Sequence, residues 1–360
     1  MIPHKGIMAA AATSADGMGV SKSGRALAFA TSFTICLFAA GALAITLFGR
    51  GHGPSITLDL PESPAEKAKA AAASVAAPPV DAAPVSGPIT KPAYAGQALL
   101  ADPALIENTK EGPLPRVAED GRKPMQAYAA PAAAGKFKIA IVVSGLGVSA
   151  SATRQALDSL PSGVTLGFAP YAGDVANWVA QARGRGHEVL LEIPMEPFDF
   201  PDSDPGPHTL RSGQGEEANV ARMTWALTRF TGYAGVTNLL GQRFLSDTDA
   251  LAPAMSYLNR RGLYFFDNGS ATQSVATTVG GQVGMPTAAA NSTVDTIQTA
   301  LEIDRRLLDL ETQARAHGSA VGSAFLYPVS LARIAAWAKT LQSRGFVLVP
   351  VSAIVAPPKP

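Results

Sequence analysis

Seven short apolar, β-prone runs, separated by longer amphipathic segments, constrain this chain more than any other feature. They fall at 139–143, 164–168, 188–193, 234–237, 263–266, 319–325 and 346–349. Helical patterning fills the intervals 150–160, 174–185, 216–229, 247–261, 293–317 and 330–344. Short apolar strands alternating with helices point to an α/β fold with parallel strands. Basic residues and glycine recur where each helix should stop, as in Arg260-Arg-Gly262, Ala316-His-Gly318 and Ser343-Arg-Gly345. A cation at a helix carboxyl end complements its dipole, and glycine takes the left-handed cap. These stops place the loops that follow the strands at the opposite end, where α/β proteins assemble their sites.

The rest of the chain looks different. Residues 26–48 carry no charge and would span roughly 34 Å as a helix, enough to cross a bilayer. Lys5, Lys22 and Arg25 precede them, which favours a cytoplasmic leader at 1–25 and export of the residues beyond the span. The expectation is a single-pass inner-membrane protein with its main domain in the periplasm. The one cysteine, Cys36, falls in this span and leaves no disulfide framework outside it. Residues 49–135 are rich in alanine and proline and predict a mostly disordered spacer, a passive tether or a partner-binding segment around 94–117. The globular domain is expected over 136–355, with a tail at 356–360. With 29 basic and 28 acidic residues the formal charge is +1, which gives no global attraction for nucleic acid. Ser144-Gly-Leu-Gly147 lacks the full glycine fingerprint and the lysine of nucleotide loops.

Within the domain, the order of several segments is informative: Ile139-Ala-Ile-Val-Val-Ser-Gly-Leu-Gly147, Ile193-Pro-Met-Glu-Pro197, Gly206-Pro-His-Thr-Leu210, Val236-Thr-Asn-Leu-Leu-Gly241 and Gly262-Leu-Tyr-Phe-Phe-Asp267. Over about residues 138–355 the chain resembles the divergent polysaccharide deacetylase family. The resemblance implies a distorted seven-stranded (β/α) barrel. In members with the full pattern it also implies metal-dependent hydrolysis of an N-acetyl group, using an Asp-Asp pair after the first strand and a histidine after the fourth. Here those positions match Ser144, Gly145 and Leu239. A neutral hydroxyl, a hydrogen and an isobutyl group supply neither the charge nor the lone pairs that fix such an ion. The expectation is therefore a membrane-anchored, catalytically inactive deacetylase-like domain, without metal or cofactor, that binds an envelope glycan or an envelope protein. The alternative is a divergent metal-dependent polysaccharide deacetylase, or another carbohydrate hydrolase, that uses Asp267, Glu192 or Glu196.

Candidate ligand-binding residues are Glu196, His208, Asn238, Arg243, Asp267 and Tyr171. Glu196 follows the third strand and either enters a pocket or braces its loop. His208 could offer a neutral imidazole to a sugar hydroxyl. Asn238 and Arg243 follow the fourth strand, and arginine carries a planar donor array suited to sugar oxygens or a carboxylate. Asp267 precedes Asn268-Gly-Ser270, a setting in which aspartate also serves as a turn acceptor. Tyr171 and Tyr327 are candidate aromatic walls for a sugar ring. Trp178, Trp225 and Trp337 lie in amphipathic segments and read as helix-packing residues. Ser144, Leu239 and Tyr327 are expected near one mouth.

Overall fold

The computed structural model describes residues 101–356, all within one compact unit spanning 87–360. The described chain begins with an antiparallel pair, β1 (Ile106–Asn108) and β2 (Pro113–Pro115), then the short α1 (Pro124–Ala127). The alternating part comes next as β3 (Phe137–Leu146), α2 (Ala150–Ser159), β4 (Thr165–Phe168), α3 (Val175–Gly184), β5 (Val189–Met195) and α4 (Glu216–Leu227). It continues as β6 (Gly235–Leu240), α5 (Thr248–Arg260), β7 (Tyr264–Asp267), α6 (Ala276–Val283), β8 (Thr287–Ala289) and β9 (Ser292–Thr293). It ends with α7 (Ala300–His317), β10 (Ser319–Phe325), α8 (Pro328–Leu341) and β11 (Phe346–Leu348). Local chemistry sets several of these limits. Ser149 and Thr299 accept from Ala152 N and Glu302 N at the starts of α2 and α7. Gly318 stops α7 with φ 84°, a left-handed cap that side chains resist.

All seven apolar runs form strands, but they do not close a seven-stranded barrel. Nine strands build one open, curled sheet in the order β8-β7-β6-β5-β4-β3-β10-β9, every pair parallel, with β11 added on β3. The edges β8 and β9 are consecutive stretches of one segment. It pairs with β7 first and then crosses to β10, where Asn291 N donates to Val321 O and Val321 N donates to Asn291 Oδ1, both at 2.7 Å. The crossing segment reads Thr287-Ala-Ala-Ala-Asn-Ser-Thr293, too small and polar to register as a strand. The seventh run, in β11, does not close the gap. It pairs with Phe137–Ile139 at the start of β3, while β4 pairs with the end of β3 from Val142 onward.

Alternate residues of each strand divide two cores. Ile139, Ile141 and Val143 of β3 join Val189, Leu191, Ile193 and Phe265 beneath the helices. Ala140 and Val142 face inward with Leu190, Tyr264, Phe266 and Val321. Fully burying each such valine, leucine, isoleucine or phenylalanine contributes roughly 1.5–3 kcal/mol, and no disulfide supplements this packing, since Cys36 is the one cysteine of the chain.

The amino ends of the strands are plugged. Leu105, Ala118 and Tyr128 join the inner core, together with Val349 and Val351 from the last turn of the chain. The spacer expected to reach residue 135 is thus corrected over 103–128, where a few large apolar anchors among prolines and alanines pack the segment onto the domain. Glu188 lies buried at this end. Its Oε1 accepts from Tyr264 Oη and Ser352 N at 3.0 Å, and its Oε2 accepts from Ala130 N at 3.2 Å. Burial pushes its carboxyl above the ordinary value, against these hydrogen bonds.

Among the described residues, no helix is long and apolar enough to cross a membrane. Residues 26–48, expected to do so, lie outside them. The membrane span, the inner-membrane and periplasmic placement, and the envelope partners inferred from it therefore have no structural support, and these expectations are withdrawn.

Candidate functional site

With the amino ends filled, the open ground lies at the carboxyl ends of the strands. Ser144 ends its inward row on β3 and is 4% exposed, its Oγ without a hydrogen-bond partner. Gly145 comes next with φ 90°, and its N–H donates to Glu192 Oε1 at 2.5 Å. Glu192 is 1% exposed, and its Oε2 has no partner. Burial raises its pKa to about 8, and the Gly145 N–H only partly opposes that rise. Glu192 is therefore a neutral acid at pH 7. Between them stands Gly167 on β4: a Cβ there would lie 3.1 Å from both Ser144 Oγ and Glu192 Oε1. Thr237, the register partner of Glu192 on β6, is fully buried and its hydroxyl also lacks a partner.

Asn238 and Asn268 lock together beside this row. Asn268 N donates to Asn238 Oδ1 at 3.0 Å, Asn268 Nδ2 to Asn238 O at 2.9 Å, and Asn238 Nδ2 to Asn268 Oδ1 at 3.0 Å. Both are nearly fully buried, so Asn238 braces the end of β6. Asp267 shares the outward parity of Phe265, and its Oδ1 accepts from Gly269 N at 2.9 Å in a tight turn. Glu196 Oε2 accepts from Ser212 N at 2.8 Å, and its Oε1 lies 3.8 Å from an Arg243 guanidinium nitrogen. The Glu196 carbonyl also receives Arg243 N and Phe244 N, both at 3.1 Å. Glu196 and Arg243 thus tie two neighbouring loops together. The three candidate carboxylates face different partners, and among the described residues no three His, Cys, Asp or Glu side chains are placed to hold a metal ion.

Tyr171 and His208 do come together, across loops that follow β4 and β5. His208 N donates to Tyr171 Oη at 3.0 Å. The His208 ring stacks on Trp225 of α4, with centroids 3.7 Å apart and planes 5° apart, and Tyr171 lies 5.0 Å from the same indole. Partial burial, then the charges of Arg229 and Arg222, hold the imidazole below its ordinary pKa and keep it neutral at pH 7. Trp225 packs on the core, as its helical position predicts, and its partly exposed ring also carries the stack, which helical patterning does not signal. Gly206 makes the close approach possible: it has φ 123°, and a Cβ would fall 2.6 Å from the Tyr171 ring. Gly206→Ala is expected to lower stability by about 2 kcal/mol in urea denaturation. Gly213→Ala, which meets nothing within 4 Å, serves as the control. Equal midpoints for the two variants would show that Tyr171 is not seated on this backbone.

Exposed apolar side chains gather at the same end. Of the seven large ones exposed among the described residues, Val148, Tyr171, Phe198, Ile297 and Tyr327 all lie in loops that follow strands. Ser144 and Tyr327 sit at the ends of the paired strands β3 and β10, and Leu239 lies near the end of β6.

Comparison with known proteins identifies the scaffold. A profile described as divergent polysaccharide deacetylase matches residues 141–355. This chain belongs to that family. A crystal structure of an Agrobacterium tumefaciens C58 protein shares 41% identity and a TM-score of 0.67 with it, and that alignment covers 68% of this chain and 100% of the other. The Escherichia coli (strain K12) protein YibQ is 25% identical over 209 residues, which span 57% of this chain and 63% of YibQ. A Haemophilus influenzae protein is 23% identical over 204 residues, 57% of this chain and 72% of its own length. Measured against the deacetylase pattern, the residues present do not fit a catalytic metal. Ser144, Gly145 and Leu239 stand where its ligands would be, and the nearest carboxyl, Glu192, is buried, neutral at pH 7 and already bonded to Gly145 N.

Proposed function

We propose that this divergent deacetylase domain binds polysaccharide without hydrolysing it, at the carboxyl mouth of its sheet. The observation that carries the reading is a contrast at one place. The metal donors are replaced by neutral groups, while the Tyr171–His208–Trp225 cluster and the exposed Phe198 and Tyr327 present aromatic surface around the same mouth. Aromatic faces stack on the apolar C–H faces of sugar rings, and neutral donors such as His208 take hydroxyl groups without the desolvation cost of a charge. Arg243, 53% exposed beside Glu196, adds a directed donor at the rim.

The test uses N-acetylglucosamine oligomers. The protein is expected to bind them in calorimetry and to release no acetate with added zinc, cobalt or manganese. Tyr171→Ala is expected to weaken binding about tenfold, or ~1.4 kcal/mol, with the fold intact by circular dichroism. Saturable, metal-dependent acetate release would overturn the non-hydrolytic reading. Unchanged affinity in Tyr171→Ala would move the ligand away from this mouth.

A further inference from the structure

The aromatic cluster of Tyr171, His208 and Trp225 carries a charge asymmetry. Arg222, Trp225 and Arg229 follow one another along α4 and just past its end at spacings of three and four, which sets them on one helical face. The preceding positions of that row, Gly215 and Ala218, bring no acid. The Arg229 guanidinium carbon lies 4.7 Å from the centre of the Trp225 ring, the same ring on which His208 stacks at 3.7 Å. Arg229 donates from Nε to Trp225 O at 2.9 Å, and from Nη2 to Thr228 Oγ1 at 3.0 Å and Glu111 O at 3.4 Å. Arg222 donates from Nη2 to Gln214 Oε1 at 3.5 Å. All of these acceptors are neutral, and among the described residues neither guanidinium is paired with a carboxylate. Arg222 Nη1 is enclosed by protein, but Arg222 Nε and Arg229 Nη1 are neither enclosed nor bonded. After partial burial, the charges that act on His208 are those of Arg229 and Arg222. At Tyr171, burial raises the hydroxyl and the charge of Asp204 adds to that rise. The cluster is thus negative beside Tyr171 and positive beside Trp225.

We propose that the polysaccharide bound at this cluster is anionic, and that Arg222 and Arg229 hold a carboxylate of the sugar that lies against Tyr171 and His208. The inference rests on the polysaccharide reading above and names the class of polymer. Two guanidinium groups without a carboxylate partner repel a cationic ligand and gain from an anionic one. Charge-assisted bonds to arginine are about twice as strong as neutral ones, and the two oxygens of a carboxylate can take one donor from each arginine. Asp204 orients the ligand, because it drives the negative group away from Tyr171 and toward α4. His208, neutral at pH 7, serves a hydroxyl of the same sugar.

The test compares hexagalacturonate, its uncharged methyl ester and chitohexaose by calorimetry with the full chain. The acid is expected to bind about tenfold more tightly than its ester, and the ratio is expected to collapse toward one as salt rises from about 0.1 M to about 1 M. Arg222→Gln is expected to cut the acid-to-ester ratio to about twofold, and Arg222→Lys to keep more of it. Arg305→Gln, the same charge change on α7, is expected to leave the ratio as in wild type. The wild-type ratio and its salt dependence decide the matter even if a variant fails to fold. Equal binding of acid and ester overturns the proposal and leaves the polysaccharide reading standing, as does binding of chitohexaose alone. Acid bound and chitohexaose not bound supports the proposal and counts against N-acetylglucosamine as the sugar. Binding of none of the three overturns both. An undiminished ratio in Arg222→Gln overturns the assignment to these arginines. Inorganic phosphate that displaces the acid more readily than free galacturonate does, at matched ionic strength, overturns the carboxylate in favour of a phosphate.

Discussion

Glu192→Gln is expected to match the wild type in stability near pH 4 and to exceed it by about 5 kcal/mol near pH 9. In the unfolded chain the Glu192 carboxyl titrates at the ordinary value of 4.5, whereas in the folded protein burial raises it to about 8. A raised carboxyl keeps its proton in the folded state after the unfolded state has released its own. The unfolded state therefore binds fewer protons between these two values, and stability falls as pH climbs through that window. Below pH 4.5 both states are protonated and the full contribution is present; above pH 8 it is gone. Glutamine keeps an acceptor for Gly145 N and has no proton to lose, so it removes this slope. Urea denaturation of both proteins across the pH range measures the difference and cancels every other titrating group. Parallel curves would mean that Glu192 is ionised in the folded protein, which would reopen a cationic role for the mouth.

Most of the central strands were legible because, buried on both faces, they read as nearly continuous apolar runs. The closure was not. The crossing segment 287–293 is held by Asn291 bridging to Val321, and one polar residue in a stretch of alanines leaves no periodic signal. The 103–128 segment misled for a related reason: its composition is that of a spacer, and three or four anchors such as Leu105, Leu114 and Tyr128 suffice to dock it when a cavity for them already exists. At the site, motif order led directly to Ser144, Gly145 and Leu239. It also led to Tyr171 and His208, but as separate residues. Their meeting on Trp225 depends on a loop of the β5–α4 connection folding back over a helix that comes after it, and sequence spacing does not encode that return. Glu196, Arg243 and Asp267 each carry the chemistry of a ligand contact, and each also makes a bond within the structure: Glu196 and Arg243 link two neighbouring loops, and Asp267 accepts from Gly269 N in its own turn.

Glu188 carries no signal in the sequence because its donors come from Ala130, Tyr264 and Ser352, parts of the chain that only folding brings together. Glu188→Ala is expected to lower stability by about 3–5 kcal/mol, since it strands several buried donors and leaves a void. Glu188→Gln, which keeps one acceptor in place, is expected to lose less than half as much. The two effects are local to the plugged end, so the Ala130 and Ser352 amides should exchange with solvent faster in Glu188→Ala than in wild type, while amides at Gly145 and His208 keep their relative protection. Affinity for N-acetylglucosamine oligomers, measured well below the melting temperature, is expected to stay unchanged, because the bound mouth lies at the other end of the strands. A loss under about 1 kcal/mol in Glu188→Ala would show that water replaces the carboxylate there. The 103–128 segment and the last turn of the chain would then owe their docking to apolar packing by Leu105, Tyr128 and Val351 and to hydrogen bonds such as Met125 N to Gly262 O and Val351 N to Thr165 Oγ1.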